Sequence, residues 1–469
     1  MPNNKKTYSR RDFIKQSSLV AGMLASGLLT KDCRQKKEFS LVIKNGSIID
    51  LLNSRLHAQD IGTVGESIGK IGKISASSGD CVIDATGKYI IPGLSDLHVH
   101  FIDPSFSELF LLNGVTSVRD VGNDLDFILP LRQEIVAGKK AGPTTYVAGP
   151  IINNRKIPFG ASFYTQVVKK PEEAKSLVAQ LAQRGVDWIK IYITLPRNMV
   201  RTIIQEAEKH GLPVAGHLRR VDAEFAARWG IRTIEHTTGI AEALLKDRNF
   251  EDAPPFQTIS NKVWLHVDRS RYQRLIDLLV RKNVFILANL TVFHGLASSE
   301  QELKNNKNVE LMPSTFLKGW EQFLNGWFQV YTEDKESWKI TKEKIEEFLL
   351  LFKANGGKVI AGTDTPWPFL VPGYSLHDEL ALLVKAGFSP LEVLQTATIN
   401  QADALNLSEK AGTIEVGKVA DLLILDKNPL KDIKFTRTAN IVIHKGHVFH
   451  RNQLFQSLQE RIRSTIEPS

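Results

Sequence analysis

Eight β-rich segments, mostly β-branched and separated by helical patterns, run through the middle of the chain. They lie near Ile90–Phe101, Val115–Val121, Thr145–Ile151, Trp188–Ile193, Pro213–Leu218, Thr233–Thr237, Val284–Leu290 and Lys358–Thr365. One intervening helix is plain: Arg197–His210 sets Val200, Ile203, Ile204 and Ala207 at helical spacing and stops at Gly211-Leu212-Pro213. Eight such units over roughly 300 residues fit a (β/α)8 TIM barrel. A doubly wound open sheet is the competing architecture, but no glycine-rich dinucleotide turn follows any of the strands.

Both ends of the chain carry short strands instead. Leu41–Gly46 and Ser47–Asp50 flank an Asn-Gly pair, a hairpin signal. Ile68–Ile74 and Cys81–Asp84 continue the style, and Ala420–Leu425 and Ile441–Gly446 match it at the far end. The economical arrangement is an α/β barrel over 91–405, bracketed by a small β-sandwich domain built from 38–90 and 406–455. Residues 456–469 are left as a tail. A long insertion at 295–352, rich in Trp, Phe, Lys and Glu, reads as a lid, with Trp320, Phe323 and Trp327 as its own core.

The first 37 residues read as an address. Ser9-Arg10-Arg11-Asp12-Phe13-Ile14-Lys15 is a twin-arginine pattern, and the apolar run after it is shorter than the ~20 residues of a membrane span. Export to the periplasm or cell envelope is the reading; a basic arm on a cytoplasmic enzyme is the alternative. Leu28–Cys33 makes a poor lipoprotein box. The leader also carries the charge: nine basic and two acidic residues supply +7 of the net +9, leaving +2 for the body. Such a balance gives no support for a nucleic-acid partner. Two cysteines, Cys33 and Cys81, allow at most one disulfide.

The chemistry concentrates at strand ends. In Ile91-Pro92-Gly93-Leu94-Ser95-Asp96-Leu97-His98-Val99-His100, positions i and i+2 of a strand share a face, so His98 and His100 point together. Alone, the pair reads equally as core or surface. The metal reading strengthens because His217, His236 and Asp364 stand at the carboxyl ends of three further strands, where barrel enzymes place their catalytic groups.

From Val42 to about Phe449 the sequence resembles the amidohydrolase superfamily, in its imidazolonepropionase-like and prolidase-like branch. The resemblance rests on Pro92-Gly93…His98-x-His100, Gly114–Asp120, Gly211–His217, Ser375–Leu380, Ala397–Asn400 and Gly412–Leu422. It implies a lysine carbamate at Lys190 that bridges two divalent ions, zinc fitting best with manganese, cobalt or iron as alternatives. One ion would then be held by His98, His100, Lys190 and Asp364, the other by Lys190, His217 and His236. A metal-bridging hydroxide would hydrolyse a small amide, peptide-like or cyclic amide bond, of the dipeptide or N-acyl amino acid type, with Asp364 shuttling the proton. Lactone or phosphoester hydrolysis at the same site is the alternative, and a non-enzymatic scaffold a third.

The substrate would be a small molecule, and self-association stays open. Arg219 could clamp a substrate carboxylate, Tyr192 could donate to an oxyanion, and His294 could reach the pocket. Two have a bland counterpart: a solvated loop charge for Arg219, and still more for the adjacent Arg220, and a core aromatic for Tyr192. His377 opens a helix and reads as structural.

Overall fold

A computed structural model describes residues 37–156, 164–246, 261–328 and 334–466. The twin-arginine leader and Cys33 lie outside the described residues, as does the side chain of Trp327. Among the described residues no helix is long and apolar enough to cross a membrane.

The first strands are β1 (Phe39–Lys44), β2 (Ser47–Asp50), β3 (Arg55–Ala58), β4 (Asp60–Val64), β5 (Ser67–Gly72), β6 (Gly79–Asp84) and β7 (Tyr89–Pro92). Asn45-Gly46 does not close a hairpin. β1 pairs with β4 and β6, whereas β2 pairs with β3 and β7, so the turn carries the chain from one sheet to another. Asp60 explains the corner: it accepts from Lys44 Nζ at 2.6 Å and from the Asn45 backbone N–H at 3.0 Å. Gly46, in turn, lies against the Ile90 side chain, where a Cβ would not fit.

Next come β8 (Leu94–Val99), β9 (Val115–Asp120) and β10 (Thr144–Val147), which pair in parallel. They are followed by β11 (Ile151–Asn153), β12 (Thr165–Val167), β13 (Ile189–Ile191), β14 (Val214–Gly216), β15 (Thr233–Ile234), β16 (Phe285–Leu287) and β17 (Lys358–Ile360). These seven form one parallel sheet in the order β12-β11-β13-β14-β15-β16-β17. Two expected strands are each divided. Ile90–Phe101 breaks at Gly93, which donates to the Asp421 carbonyl at 2.8 Å and leaves β7 and β8 in different sheets. Thr145–Ile151 breaks near Gly149, whose φ of 71° ends regular strand geometry.

Backbone hydrogen bonds also run between the two parallel sheets. Asp187 and Trp188 donate to the Val147 carbonyl at 2.8 and 3.2 Å, and at the other side Asp364 donates to His98 O and His100 to Thr365 O, both at 2.7 Å. Apolar side chains of these strands and of the helices outside them join one large buried cluster.

The last strands, β18 (Leu422–Leu425), β19 (Ala439–His444) and β20 (His447–His450), return to the beginning of the chain. β18 pairs antiparallel with β7, giving a six-stranded sheet β20-β19-β18-β7-β2-β3 drawn from both ends. A second buried cluster joins Leu41, Ile43 and Ile61 of the four-stranded sheet to Ile48, Ile90, Leu422 and Ile443 of this one. Beyond β20 the expected tail is a helix, Arg451–Ile466, that buries Leu454 and Leu458.

The described residues of the 295–352 insertion are largely helical and lie on the segment after Asp364. Trp320 packs on Phe369 with ring centroids 5.3 Å apart, Phe323 on Trp367 at 5.6 Å, and Phe316 on Phe106 at 5.2 Å. Asn306 donates to the Phe369 carbonyl at 3.2 Å. Trp320 and Phe323 thus tie the insertion to the segment after Asp364.

Gly446 (φ 76°) turns the β19–β20 hairpin against the Gly65 carbonyl oxygen, where an added Cβ would collide with backbone. Gly446→Ala is expected to lose about 1–3 kcal/mol of unfolding free energy, read as an earlier urea midpoint with the slope unchanged.

Candidate metal centre

Short strands bring the ligand candidates together just past their carboxyl ends. His98 lies in β8; His217 follows β14 by one residue, His236 follows β15 by two, and Asp364 follows β17 by four. The last two sit on backbone outside the usual range, with φ 55° at His236 and 64° at Asp364. Neighbouring structure has to hold such geometry in place. Asp96 does part of this: it accepts from Thr363 Oγ1 at 2.6 Å, Thr363 N–H at 3.1 Å and His98 N–H at 3.2 Å. The histidine strand and the aspartate segment are tied into one register.

Asp364 Oδ1 lies 3.2 Å from His98 Nε2 and 3.3 Å from His100 Nε2, and its Oδ2 lies 3.9 Å from His236 Nε2. The His98 and His236 rings are 4.4 Å apart by centroid, His236 and His217 4.8 Å, and His217 and Tyr192 4.8 Å. Lys190 Nζ is buried and makes no hydrogen bond; a Glu235 oxygen stands 3.9 Å away. His98, Lys190 and His236 form the closed side of the cluster, while His100, His217 and Asp364 keep partial exposure.

The electrostatics favour ligands over bases at rest. Burial, reinforced by the charge of His98, pushes the His236 imidazole down to about 3, and burial with His236 and Lys190 holds His217 well below its ordinary value. Both rings are neutral at pH 7, as a ligand requires. Burial brings Lys190 down to about 8, within reach of the neutral amine that could add carbon dioxide. Burial would raise Asp364, yet the surrounding His98, His236 and His100, with hydrogen bonds from His100 and His98, hold it well below the carboxylate range.

These residues fit a divalent cation. The Nδ1 of His100 faces the Gly122 carbonyl at 3.2 Å and that of His98 faces Glu235, so each ring offers Nε2 to the centre. Three ligands about 2.0–2.1 Å from a tetrahedral zinc would stand about 3.3 Å apart. The two Nε2–Oδ1 separations match that edge, and the ligand atoms of all three side chains lie within 4.8 Å of one another. Lys190 Nζ, buried without a hydrogen-bond partner, is not among these three ligand groups.

The substrate candidates are placed less uniformly. Tyr192 borders His217. Arg219 follows the same strand end and lies near buried Glu242, whose carboxyl burial raises to about 7 against the pull of that arginine. Arg220 is half-buried. His294 is on the exposed side of helix Leu290–Ala297, its imidazole lowered by partial burial and by Lys342 and Lys385. His377 bridges Thr436 Oγ1 (2.8 Å) and the Asn113 carbonyl (3.0 Å), joining two distant segments.

Two buried charged residues escape the sequence reading. Glu235 stands beside His98, and Arg119 stands beside Glu235. A signal was present: Arg119 near the end of Val115–Asp120 and Glu235 directly after Thr233–Ile234 each put a charge at a mostly apolar strand end, where an unpaired charge is costly.

Burial pushes His377 down to about 3, so the unfolded chain binds its proton first as pH falls. The metal-free protein should keep this stability above about pH 6.5 and lose it towards pH 3, by up to ~1.4 kcal/mol per pH unit. His377→Gln should flatten that fall in urea titrations between pH 6.5 and 4.5; an unchanged slope would contradict the assignment.

The amidohydrolase family model matches residues 89–448. A dihydroorotase of Pelotomaculum thermopropionicum is 22% identical over 429 residues, covering 85% of this chain and 92% of the relative. Among solved structures, bottromycin amidohydrolase aligns with a TM-score of 0.70 at 19% identity, covering 90% of each chain. A Xaa-Pro dipeptidase with bound methionine aligns at 0.66 and 21%, covering 87% of this chain and 99% of that one. The protein has the α/β fold of these neighbours, and with three quarters of its length matched it belongs to the amidohydrolase family of hydrolases.

Proposed function

We propose that the chain is a binuclear metal-dependent hydrolase of a small amide or peptide-like bond, of the dipeptide or N-acyl amino acid type. The carrying observation is one carboxylate, Asp364, with Oδ1 between two histidine nitrogens and Oδ2 towards a third. His98, His100, Asp364 and Lys190 would hold one ion; Lys190, as a carbamate, would share the other with His217 and His236. Zinc suits the mixed nitrogen and oxygen set. Two ions held there would supply the chemistry of an acidified water and a polarised carbonyl.

The rest falls to the chain's own groups. Asp364, ionised at pH 7, takes the proton of the attacking water and returns it to the leaving nitrogen. Tyr192, beside His217, donates to the oxygen that gains charge. Arg219 pairs with a substrate carboxylate, as a guanidinium fork does well. The Xaa-Pro dipeptidase named above agrees with a peptide-like substrate. For the scaffold, the inter-sheet bonds at Val147 and Thr365 support a closed (β/α)8 barrel over 91–405, with the two end sheets packed as a β-sandwich and the insertion as its cover. The leader supports export by the twin-arginine route.

Elemental analysis of protein grown with zinc should find about two ions per chain, and a panel of dipeptides and N-acyl amino acids should contain substrates. Asp364→Asn should stay folded and retain most metal while kcat falls about 10²–10⁴-fold. Wild-type turnover in that variant would remove Asp364 from the reaction. Turnover confined to lactones or phosphotriesters would reassign the bond.

A further inference from the structure

Beneath the histidines lies a fixed chain of buried charge. Arg119 and Glu235 are both 0% exposed and His98 is 1%. Arg119 Nη2 donates to both Glu235 oxygens, at 2.9 and 3.0 Å, Nη1 to Thr233 Oγ1 at 3.1 Å, and Nε to the Leu97 carbonyl at 2.7 Å. Its guanidinium also lies over the Trp188 ring, 4.4 Å from the centroid. Thr233 Oγ1 donates onward to Glu235 Oε1 at 2.5 Å. Glu235 Oε1 is thus held by Arg119 and Thr233, and Oε2 by Arg119 and His98 Nδ1. The carboxylate has no freedom to turn.

We propose that Glu235, clamped by Arg119 and Thr233, is a positioning residue that sets the ring orientation and tautomer of His98 for cation binding. This rests on the metal reading above and deepens it. An ionised carboxylate only accepts hydrogen bonds, so the His98 proton belongs on Nδ1 and the Nε2 lone pair is left for the centre. Both Glu235 oxygens already accept from Arg119, and Oε1 from Thr233 as well, so the group faces His98 as an acceptor.

Two competing roles explain less. A counter-ion to Lys190 would stand closer than 3.9 Å and hydrogen-bond to it. A purely stabilising pair is a poor account, because a buried ion pair adds little over an apolar one of the same volume. The second histidine of the strand makes the contrast: His100 is oriented by a neutral backbone carbonyl, His98 by a full charge, which also strengthens it as a donor.

The test reads zinc affinity by competition with a chromophoric chelator. Glu235→Gln keeps the shape and removes the charge; it should bind zinc about 10–100-fold more weakly than wild type with its far-ultraviolet dichroism intact. Glu235→Asp, which restores the charge at shorter reach, should recover part of the loss. Should Glu235→Gln fail to fold, the zinc-loaded wild type decides: 15N-histidine spectra should place the His98 proton on Nδ1, in a resonance lost in His98→Asn. Wild-type zinc affinity in Glu235→Gln, or an unprotonated Nδ1, overturns the proposal. A wild type that binds no zinc overturns the metal reading itself, whatever the variants do.

Discussion

Charge that water cannot reach has to be answered by neighbours within a few ångströms, and the interior of this protein is arranged around that demand. Arg119, Lys190 and the histidines meet Glu235 and Asp364 in a region where several of these groups are almost fully enclosed. Breaking such a set is a different matter from losing a surface pair. Lys304–Glu300, one helical turn apart and half exposed, is worth about 0.3–0.5 kcal/mol. Removing one partner of a buried pair costs about 3–5 kcal/mol, because the other is left uncompensated. The buried set constrains which side chains can occupy neighbouring strand ends and in what protonation state.

Other acids of the interior are answered by hydrogen bonds from the chain instead of by a buried cation. Burial raises Asp96 and Glu379 to about 7, and both are spent on holding backbone. Glu379 accepts from the N–H groups of Leu290 and Thr291 at 3.0 and 2.8 Å, closing the start of a helix that leads into the insertion. Asp96 binds Thr363 and so sets the spacing between His98 and Asp364. The 3.2 Å contact between those two side chains follows from main-chain register, not from their own attraction alone. The strand ends, the insertion and the cluster form one mechanical unit.

Periodicity and turn chemistry made much of this legible. The positions of β9, β13, β14, β16 and β17 follow from short β-branched runs, and the helix Arg197–Lys209 from its 3.6-residue apolar spacing. His98, His100, His217, His236 and Asp364 stood out because each interrupts an apolar strand at its carboxyl end. The Asn45-Gly46 corner is not a hairpin because a dipeptide specifies a turn and says nothing about which sheet receives the next strand. His294 stands on the exposed side of its helix, because following a strand fixes the end of the fold and the rotation of the helix fixes which residues are covered.

The sequence by itself determined the alternation of strands and helices, the mixing of both chain ends in a shared kind of strand, and the residue types able to hold a cation. Only the tertiary structure decided that Glu235 meets His98, 137 residues away, and that Arg119 completes the pair. Local pattern encodes the face on which a side chain projects. Which distant segment lies opposite that face depends on strand order and register, and those are settled by packing the whole chain at once.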